Sequence, residues 1–317
     1  MPDMLSSAFI RPSAFVLAVS SFAVAEMLPW EHDSLPPAVV QSALLPDWVF
    51  CEDACNWRKP VADIFRPLVR ECATAREAVL TIASQMTAAT GVYYSMERRK
   101  ANMNALEALR EKKVSCTGQS VLLVCALRSV GIPARVVWVL TWNHMPGNHT
   151  WVEAWVDGGW QMIEFNEKAF NTPWVMEYVG MLDEKIPAQR IFAVGGMDTG
   201  GLVPFQIPDG RELSAEDVTA RYRALSRAWY EQDGLPPDCQ RLMVDVRERR
   251  ETARPVELHD ESGRVISRAL LPTQRDDVRR CARLLLPRNG RYYLKTDAET
   301  IEVTATEAPV RIIRLLR

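Results

Sequence analysis

The sequence lacks the cysteine patterns that build a zinc ribbon or a disulfide-stapled domain. Its seven cysteines are an odd number, and no two of them form a Cys-x-x-Cys pair. Cys51 and Cys55 alone are close enough in sequence to suggest a local bridge, which would require an oxidising compartment. We therefore expect a fold that depends on its apolar core, with no metal ion and no cofactor.

The chain also lacks an excess of charge and an apolar run of membrane-spanning length. Its 38 Lys and Arg residues nearly balance 40 Asp and Glu residues, for a formal net charge of −2. That balance leaves no basic field for a nucleic acid, and no apolar stretch reaches the roughly 20 residues that cross a bilayer. At 317 residues, 48% of them hydrophobic, the chain is long enough for two globular domains.

An apolar stretch near the N-terminus, AFVLAVSSFAVAE at residues 14–26, allows two interpretations. Its Ala-Val-Ala ending is typical of the cleavage site of a secretory signal. Asp3, however, lies in the region that should be positively charged, where Arg11 is the one cation, and Pro12 suits the first turn of an ordinary helix. We expect a helix docked on the core of a cytoplasmic protein, with a cleaved signal as the alternative.

Changes in composition predict four segments along the chain. Residues 1–60, rich in Pro, Trp and acidic side chains, predict a helical and loop extension. Residues 61–208 combine helical and strand-like spacing and predict the core domain. Residues 209–237 contain a charged helical stretch that ends at the breaker DGLPPDC, and they predict a linker. Residues 238–317 are short β-like runs separated by turns, which are typical of a small antiparallel β-sandwich.

One cysteine stands at the start of a predicted buried helix in SCTGQSVLLVCALRSVGIPAR. Ser115 suits the N-cap, and Gly131 with Pro133 predicts the end of the helix. The helix dipole favours a thiolate at Cys116, and the Cys116 N–H could donate to an oxyanion. The alternative is that Cys116 is a small buried hydrophobe, the role we expect for Cys125.

The stretch GNHTWVEAWVDGGWQMIEFNE at residues 147–167 predicts a β-hairpin. A two-residue type I′ turn at Asp157-Gly158 would pair Val156 with Gly159. A three-residue loop would shift the register by one residue and reverse the face of every side chain on the second strand.

Under the two-residue turn, four polar or aromatic side chains share one face of the hairpin: His149, Trp151, Glu164 and Asn166. The diagonal from His149 to Glu164 would span about 7 to 8 Å, which their side chains can close. A carboxylate there would orient the imidazole and stabilise its cation. Asn166 is an alternative orienter, by analogy with cysteine enzymes that use Asn.

Other residues near the hairpin have plainer interpretations. Trp142 and Trp151 are expected to pack the core, with the floor of a substrate cleft as the alternative. His144 has no further partner at zinc spacing, so we expect it at the cleft rim and not on a metal. Arg135 is expected to have a structural role through charge-assisted hydrogen bonds.

The order of these parts between Tyr94 and Asn166 resembles the transglutaminase-like family of papain-type cysteine enzymes. A cysteine opens a helix that ends in GIPAR, a histidine opens HTWVEAW, and an acid follows a Gly-Trp pair. The resemblance implies that Cys116 is the nucleophile, that His149 is the general base and acid, and that Glu164 takes the place usually held by Asp. Ser115 also departs from the glycine that is frequent before the nucleophile.

The resemblance implies an α+β fold: a papain-like core of helices packed on an antiparallel sheet, then the small C-terminal β-domain common in the bacterial branch. It further implies a protease or amidase that forms a thioester with a peptide or protein substrate, or an acyltransferase to an amine. The alternative is a catalytically idle module that recognises a peptide or a glycan. The presence of both Cys116 and His149 in the expected order favours the enzyme. The scissile bond and the oligomeric state are left open.

Overall fold

A computed structural model describes residues 28–32, 35–143, 147–194, 202–206, 212–276 and 280–316. The apolar stretch at residues 14–26 lies outside these residues. None of the helices in the described ranges is long and apolar enough to cross a membrane. Cys51 and Cys55 are not joined by a disulfide bond.

Helices dominate the first half of the described chain. The α-helices are α1 Pro37–Ala43, α2 Arg58–Phe65, α3 Ala75–Thr90, α4 Ala105–Glu111, α5 Cys116–Ser129, α6 Pro173–Gly180 and α7 Thr219–Gln232, with short 3-10 helices at Pro29–His32, Arg66–Val69 and Pro187–Gln189. Helix α3 shows why such segments are stable: the Thr74 hydroxyl accepts from the Glu77 N–H at 3.2 Å. Gly91, at φ 70°, ends the helix in the left-handed conformation that favours glycine.

A six-stranded antiparallel sheet forms the centre of the molecule, in the order β5-β4-β3-β6-β8-β7. The strands are β3 Ala134–Val139, β4 His149–Val156, β5 Gly159–Ile163, β6 Ile191–Val194, β7 Leu202–Gln206 and β8 Glu212–Asp217, preceded by a parallel pair, β1 Tyr93–Tyr94 and β2 Lys113–Val114. Alternate residues point to opposite faces. One face packs on α3 and α5, and the other on α6 and α7. The predicted α+β core of helices on an antiparallel sheet is therefore confirmed.

The hairpin between β4 and β5 has the predicted register. Val156 pairs with Gly159, and the pairing continues to Val152 opposite Ile163. Asp157 and Gly158 both have positive φ, 54° and 75°, as a type I′ turn requires. The two-residue loop therefore sets which side chains share a face.

Two further sheets follow α7. One has the order β12-β9-β15 and the other β11-β10-β13-β14. Their strands are β9 Cys239–Val246, β10 Pro255–His259, β11 Val265–Leu270, β12 Ala282–Pro287, β13 Tyr292–Lys295, β14 Thr300–Val303 and β15 Val310–Leu315. The two sheets share one buried apolar cluster, so the small C-terminal β-domain is present. It differs from a wholly antiparallel design, because β15 runs parallel to β9.

The segment predicted as a helical linker, residues 209–237, contains α7 and also β8, which pairs with β6 in the central sheet. Helix α7 packs on α6 and on residues of the C-terminal strands in one apolar cluster. Arg283 on β12 reaches Glu177 on α6 with two hydrogen bonds of 2.9 Å. The division at residue 238 into separate domains stays a prediction, which expression of residues 238–317 alone would test.

Candidate active site

The first residue of helix α5 is Cys116, at one end of the central sheet. The Ser115 hydroxyl caps the helix by accepting from the Gly118 N–H at 3.0 Å, and it donates to the Ala101 carbonyl at 2.6 Å. First-turn N–H groups have no partner within a helix, and they carry the positive end of its dipole. The Cys116 side chain is partly exposed, whereas Cys125 on the same helix is buried as predicted.

Gly118 allows the close approach of α5 to the segment before it. A Cβ placed on Gly118 would lie 2.9 Å from the Val114 Cβ, a contact that real side chains do not make, and 3.8 Å from the Met103 Cβ. Val114 and Met103 are both fully buried, so moving either side chain would disturb the packing of the core and cost stability. The absence of a side chain at residue 118 therefore holds the start of α5 in place.

Gly118→Ala is expected to destabilise the protein and to reduce the reactivity of Cys116. Overpacking costs about 1–3 kcal/mol, which exceeds the roughly 0.5–1 kcal/mol that alanine gains over glycine in a helix. Urea unfolding and the alkylation rate of Cys116 measure the two effects. Gly159→Ala is the matched control, because a Cβ there has nothing within 4 Å; equal behaviour of the two variants would contradict the prediction.

His149 opens strand β4 and meets an acid from the strand beside it. Its Nε2 lies 2.6 Å from the Glu164 Oε1, and the two side chains are only 15% and 11% exposed. The imidazole also interacts with the Cys116 thiol and lowers the pKa of that thiol. Cys116, His149 and Glu164 thus form one line of interacting side chains.

The thiol and the imidazole shift each other's ionisation in opposite directions. Burial raises the pKa of Cys116, but the hydrogen bond and the charge of His149 outweigh it and lower that pKa from 9.0 to about 7. Burial also disfavours the imidazolium, yet hydrogen bonds to Cys116 and Glu164 raise the pKa of His149 from 6.5 to about 9. Between about pH 7 and 9 the pair is therefore a thiolate and an imidazolium.

Three tryptophans surround the imidazole of His149. Trp174 on α6 is nearest, with ring centroids 4.7 Å apart, followed by Trp151 at 5.7 Å and Trp142 at 6.2 Å. Trp142 and Trp151 are buried, so they pack the core, as predicted, while also contacting the histidine. Indole faces attract cations, which favours the charged form of the ring.

One of the side chains considered from the sequence, Asn166, does not join this line. The Asn166 amide bonds to Thr87 on α3, where its Oδ1 accepts from the backbone N–H at 3.0 Å and its Nδ2 donates to the hydroxyl at 2.7 Å. Glu164, and not Asn166, therefore contacts the imidazole. His144 lies outside the described residues.

Sequence reasoning missed Thr150 and Trp174. Thr150 lowers the pKa of the Cys116 thiol further, through its side chain and its backbone. The one signal for Thr150 in the sequence was its position directly after His149. Trp174 comes from a helix that follows the hairpin, and nothing in NTPWVMEY links it to the histidine.

The described residues hold no group of three or more His, Cys, Asp or Glu side chains placed to bind a metal ion. The reactive groups that the structure places here are the Cys116 thiol, the His149 imidazole and the Glu164 carboxylate. A thiolate beside an imidazolium and the N–H groups of a first helical turn can attack a carbonyl carbon, stabilise the oxyanion and protonate a leaving group.

Comparison with solved structures gives partial, low-identity matches. A Cytophaga hutchinsonii protein described as a candidate cysteine protease is 18% identical, with a TM-score of 0.36 over 44% of this chain and 45% of that one. The periplasmic domain of TgpA from Pseudomonas aeruginosa, bound to ethylmercury, is 18% identical, with a TM-score of 0.32 over 41% and 49%. Red sea bream transglutaminase is 11% identical, with a TM-score of 0.37 over 87% and 60%. The chain thus spans less than half the length of the first two.

No curated protein matches the chain. A family model does match: residues 62–165 fit the model of the transglutaminase-like superfamily. The matched residues run from α2 through the hairpin and include the nucleophile candidate, the histidine and the acid. The chain therefore contains a transglutaminase-like domain at residues 62–165, with Cys116, His149 and Glu164 inside it.

Proposed function

We propose that this protein is a cysteine-dependent amide hydrolase that acts on a peptide or protein substrate. One observation carries the proposal: the line of interacting side chains of Cys116, His149 and Glu164 at the start of a buried helix, with the thiol pKa lowered to about 7. A thiol whose pKa is lowered beside a histidine and at a helix N-terminus is typical of reactive cysteines. The match of residues 62–165 to the superfamily model agrees with this class of chemistry but does not name the substrate.

In the proposed reaction the Cys116 thiolate attacks the carbonyl carbon of an amide, and its electron pair forms the new C–S bond. The charge that develops on the carbonyl oxygen is stabilised by N–H groups in the first turn of α5. The His149 imidazolium then gives a proton to the departing amine as the C–N bond breaks, which leaves a thioester. Glu164 keeps the ring in place and stabilises its cation.

Water completes the proposed cycle. Neutral His149 takes a proton from the water molecule as its oxygen attacks the thioester carbonyl, and the C–S bond breaks to release the acid and restore the thiolate. If a primary amine reaches the thioester first, the same steps give acyl transfer. Incubation with a glutamine-containing peptide and a fluorescent primary amine would measure the division between the two products, and we expect hydrolysis to dominate.

The proposal predicts a particular pH dependence for alkylation by iodoacetamide. The rate at Cys116 should rise with a midpoint near pH 7 and should not fall at pH 9, because a thiolate is all that alkylation needs. Cys239, also partly exposed, is the internal control, since burial raises its pKa above 9.0. Mass spectrometry of peptides from one sample reports both sites. If the pH midpoint of alkylation at Cys116 were at or above that at Cys239, the proposed enzymatic activity would be wrong. The alternative, a catalytically idle binding module, would then be favoured.

A further inference from the structure

Behind His149, a line of buried side chains runs from the central sheet into helix α7. The Trp151 indole stacks on the imidazole with ring centroids 5.7 Å apart and 25° between the planes. Its Nε1–H donates to the Tyr222 hydroxyl at 2.6 Å, and the two rings meet edge to face. Tyr222 is fully buried and lies outside the residues that match the family model.

The carboxylate of Glu153 on β4 acts electrostatically on the Tyr222 hydroxyl. Burial, reinforced by the charge of Glu153, raises the pKa of Tyr222 well above its usual value. The hydroxyl therefore keeps its proton and accepts a hydrogen bond from the indole. Glu153 is itself fixed by Arg135 Nε at 2.9 Å and Arg221 Nη2 at 2.5 Å.

This arrangement does more than fill the core. A phenylalanine at residue 222 would fill almost the same volume, whereas the tyrosine hydroxyl accepts a directed hydrogen bond from the Trp151 indole, and that bond sets the angle of the indole ring. The Trp151 ring stacks on the imidazole, so its angle affects the position of His149. A displacement of an ångström at a reacting group costs about a hundredfold in rate, so the angle of the Trp151 ring matters for catalysis.

We infer that Tyr222 is a positioning residue for the reaction: it holds the Trp151 indole at the angle that keeps the His149 imidazole between Cys116 and Glu164. The inference rests on the proposed function. Tyr222 does not touch the substrate, because its side chain is buried behind the indole. Helix α7 would then belong to the catalytic unit, although the matched family segment ends at residue 165.

The test compares Tyr222→Phe with Tyr230→Phe. Both tyrosines lie on α7 and are fully buried, but the Tyr230 hydroxyl donates to the Glu177 carbonyl at 3.2 Å, away from the histidine. Loss of either hydroxyl should lower stability. Only Tyr222→Phe should raise the pH midpoint of Cys116 alkylation, because a poorly held imidazolium stabilises the thiolate less.

The pH readout is interpretable because the groups around the ring are known. Cys116 from α5 and Glu164 after β5 are the titratable groups that contact His149, and β4, α6 and the loop after β3 present the indole faces described above. On a peptide that the wild type cleaves, Tyr222→Phe should lower kcat by about tenfold and leave KM unchanged. Tyr230→Phe should leave both constants at their wild-type values.

A double-mutant cycle with Trp151→Phe completes the test. That variant keeps an aromatic ring beside His149 but removes the N–H, so it should raise the alkylation midpoint by itself, and Tyr222→Phe should then add nothing. If Tyr222→Phe fails to fold, the shift of the alkylation midpoint in Trp151→Phe alone tests the role of the hydrogen bond between Trp151 and Tyr222. A low wild-type midpoint that both variants leave unchanged would overturn the role of Tyr222, and so would additive shifts. A wild-type midpoint that is not low would overturn the proposed function as well.

Discussion

Replacing His149 with glutamine is expected to lower turnover by about 10²- to 10⁴-fold, the usual contribution of general acid–base catalysis. Glutamine can still hydrogen-bond, but it cannot carry the positive charge that stabilises the thiolate or give a proton to the leaving amine. The measurement is kcat on any peptide that the wild type cleaves. In the wild type, kcat/KM should fall below about pH 7 as Cys116 is protonated and above about pH 9 as His149 loses its proton.

Alkylation of Cys116 in the His149→Gln variant should change far less than turnover. With the pKa back at 9.0 or above, the thiolate fraction at pH 7 falls by about 50-fold, but a thiolate of higher pKa is intrinsically more nucleophilic by roughly tenfold. The net loss is therefore about fivefold. The difference between the two readouts separates proton transfer from thiolate formation.

The chain supplies its own control for this substitution. His259, in the C-terminal β-domain, also pairs with a glutamate, with its Nε2 3.0 Å from Glu257 Oε2. His259→Gln should leave both the turnover and the alkylation rate of Cys116 at wild-type values. If His149→Gln matched the wild type, or if both variants lost the same activity, the assigned role of His149 would be wrong.

Glu153→Ala should have the largest effect on stability. Glu153 is 1% exposed and binds Arg135, which is 6% exposed and also reaches Glu216 Oε2 at 2.8 Å. Removing one partner of a buried pair costs about 3–5 kcal/mol, and Arg135 would keep only Glu216, whose side chain is 46% exposed. The midpoint and slope of urea unfolding, followed by circular dichroism, would measure this loss.

An exposed ion pair provides the comparison. Asp63 pairs with Lys59 one helical turn away, and their side chains are 63% and 82% exposed. Asp63→Ala should change the free energy of unfolding by no more than about 0.5 kcal/mol. The prediction for Glu153 would fail if its variant lost less than about 1 kcal/mol, since the buried network would then be no stronger than a surface pair.

The part of the site that local rules control could be predicted from the sequence. Asp157-Gly158 requires a two-residue turn, the turn fixes the strand register, and the register places Glu164 on the face of His149. In the same way, a serine followed by Cys116 and a long apolar run predicts where the helix begins. Each step involves residues that are neighbours in the chain or across one hairpin.

The remainder of the site depends on packing between elements that are distant in sequence. Trp174 contacts the histidine from α6 and Tyr222 contacts Trp151 from α7. Their positions follow from how those helices fit the sheet. The parallel pairing of β15 with β9 is of the same kind. No periodicity in a single segment encodes such contacts, because they are decided by the combined fit of many surfaces.

The hydrogen bonds between Arg283 and Glu177 have a consequence for how this protein can vary. Glu177 lies one turn after Trp174 on α6, so the helix that covers the imidazole is tied to a strand of the C-terminal β-domain. A chimaera that joined this core to a foreign C-terminal domain would therefore keep the nucleophile but lose these two hydrogen bonds to the helix beside the imidazole. Exchange of the C-terminal β-domain would then act on the surroundings of the histidine without changing any residue in contact with it.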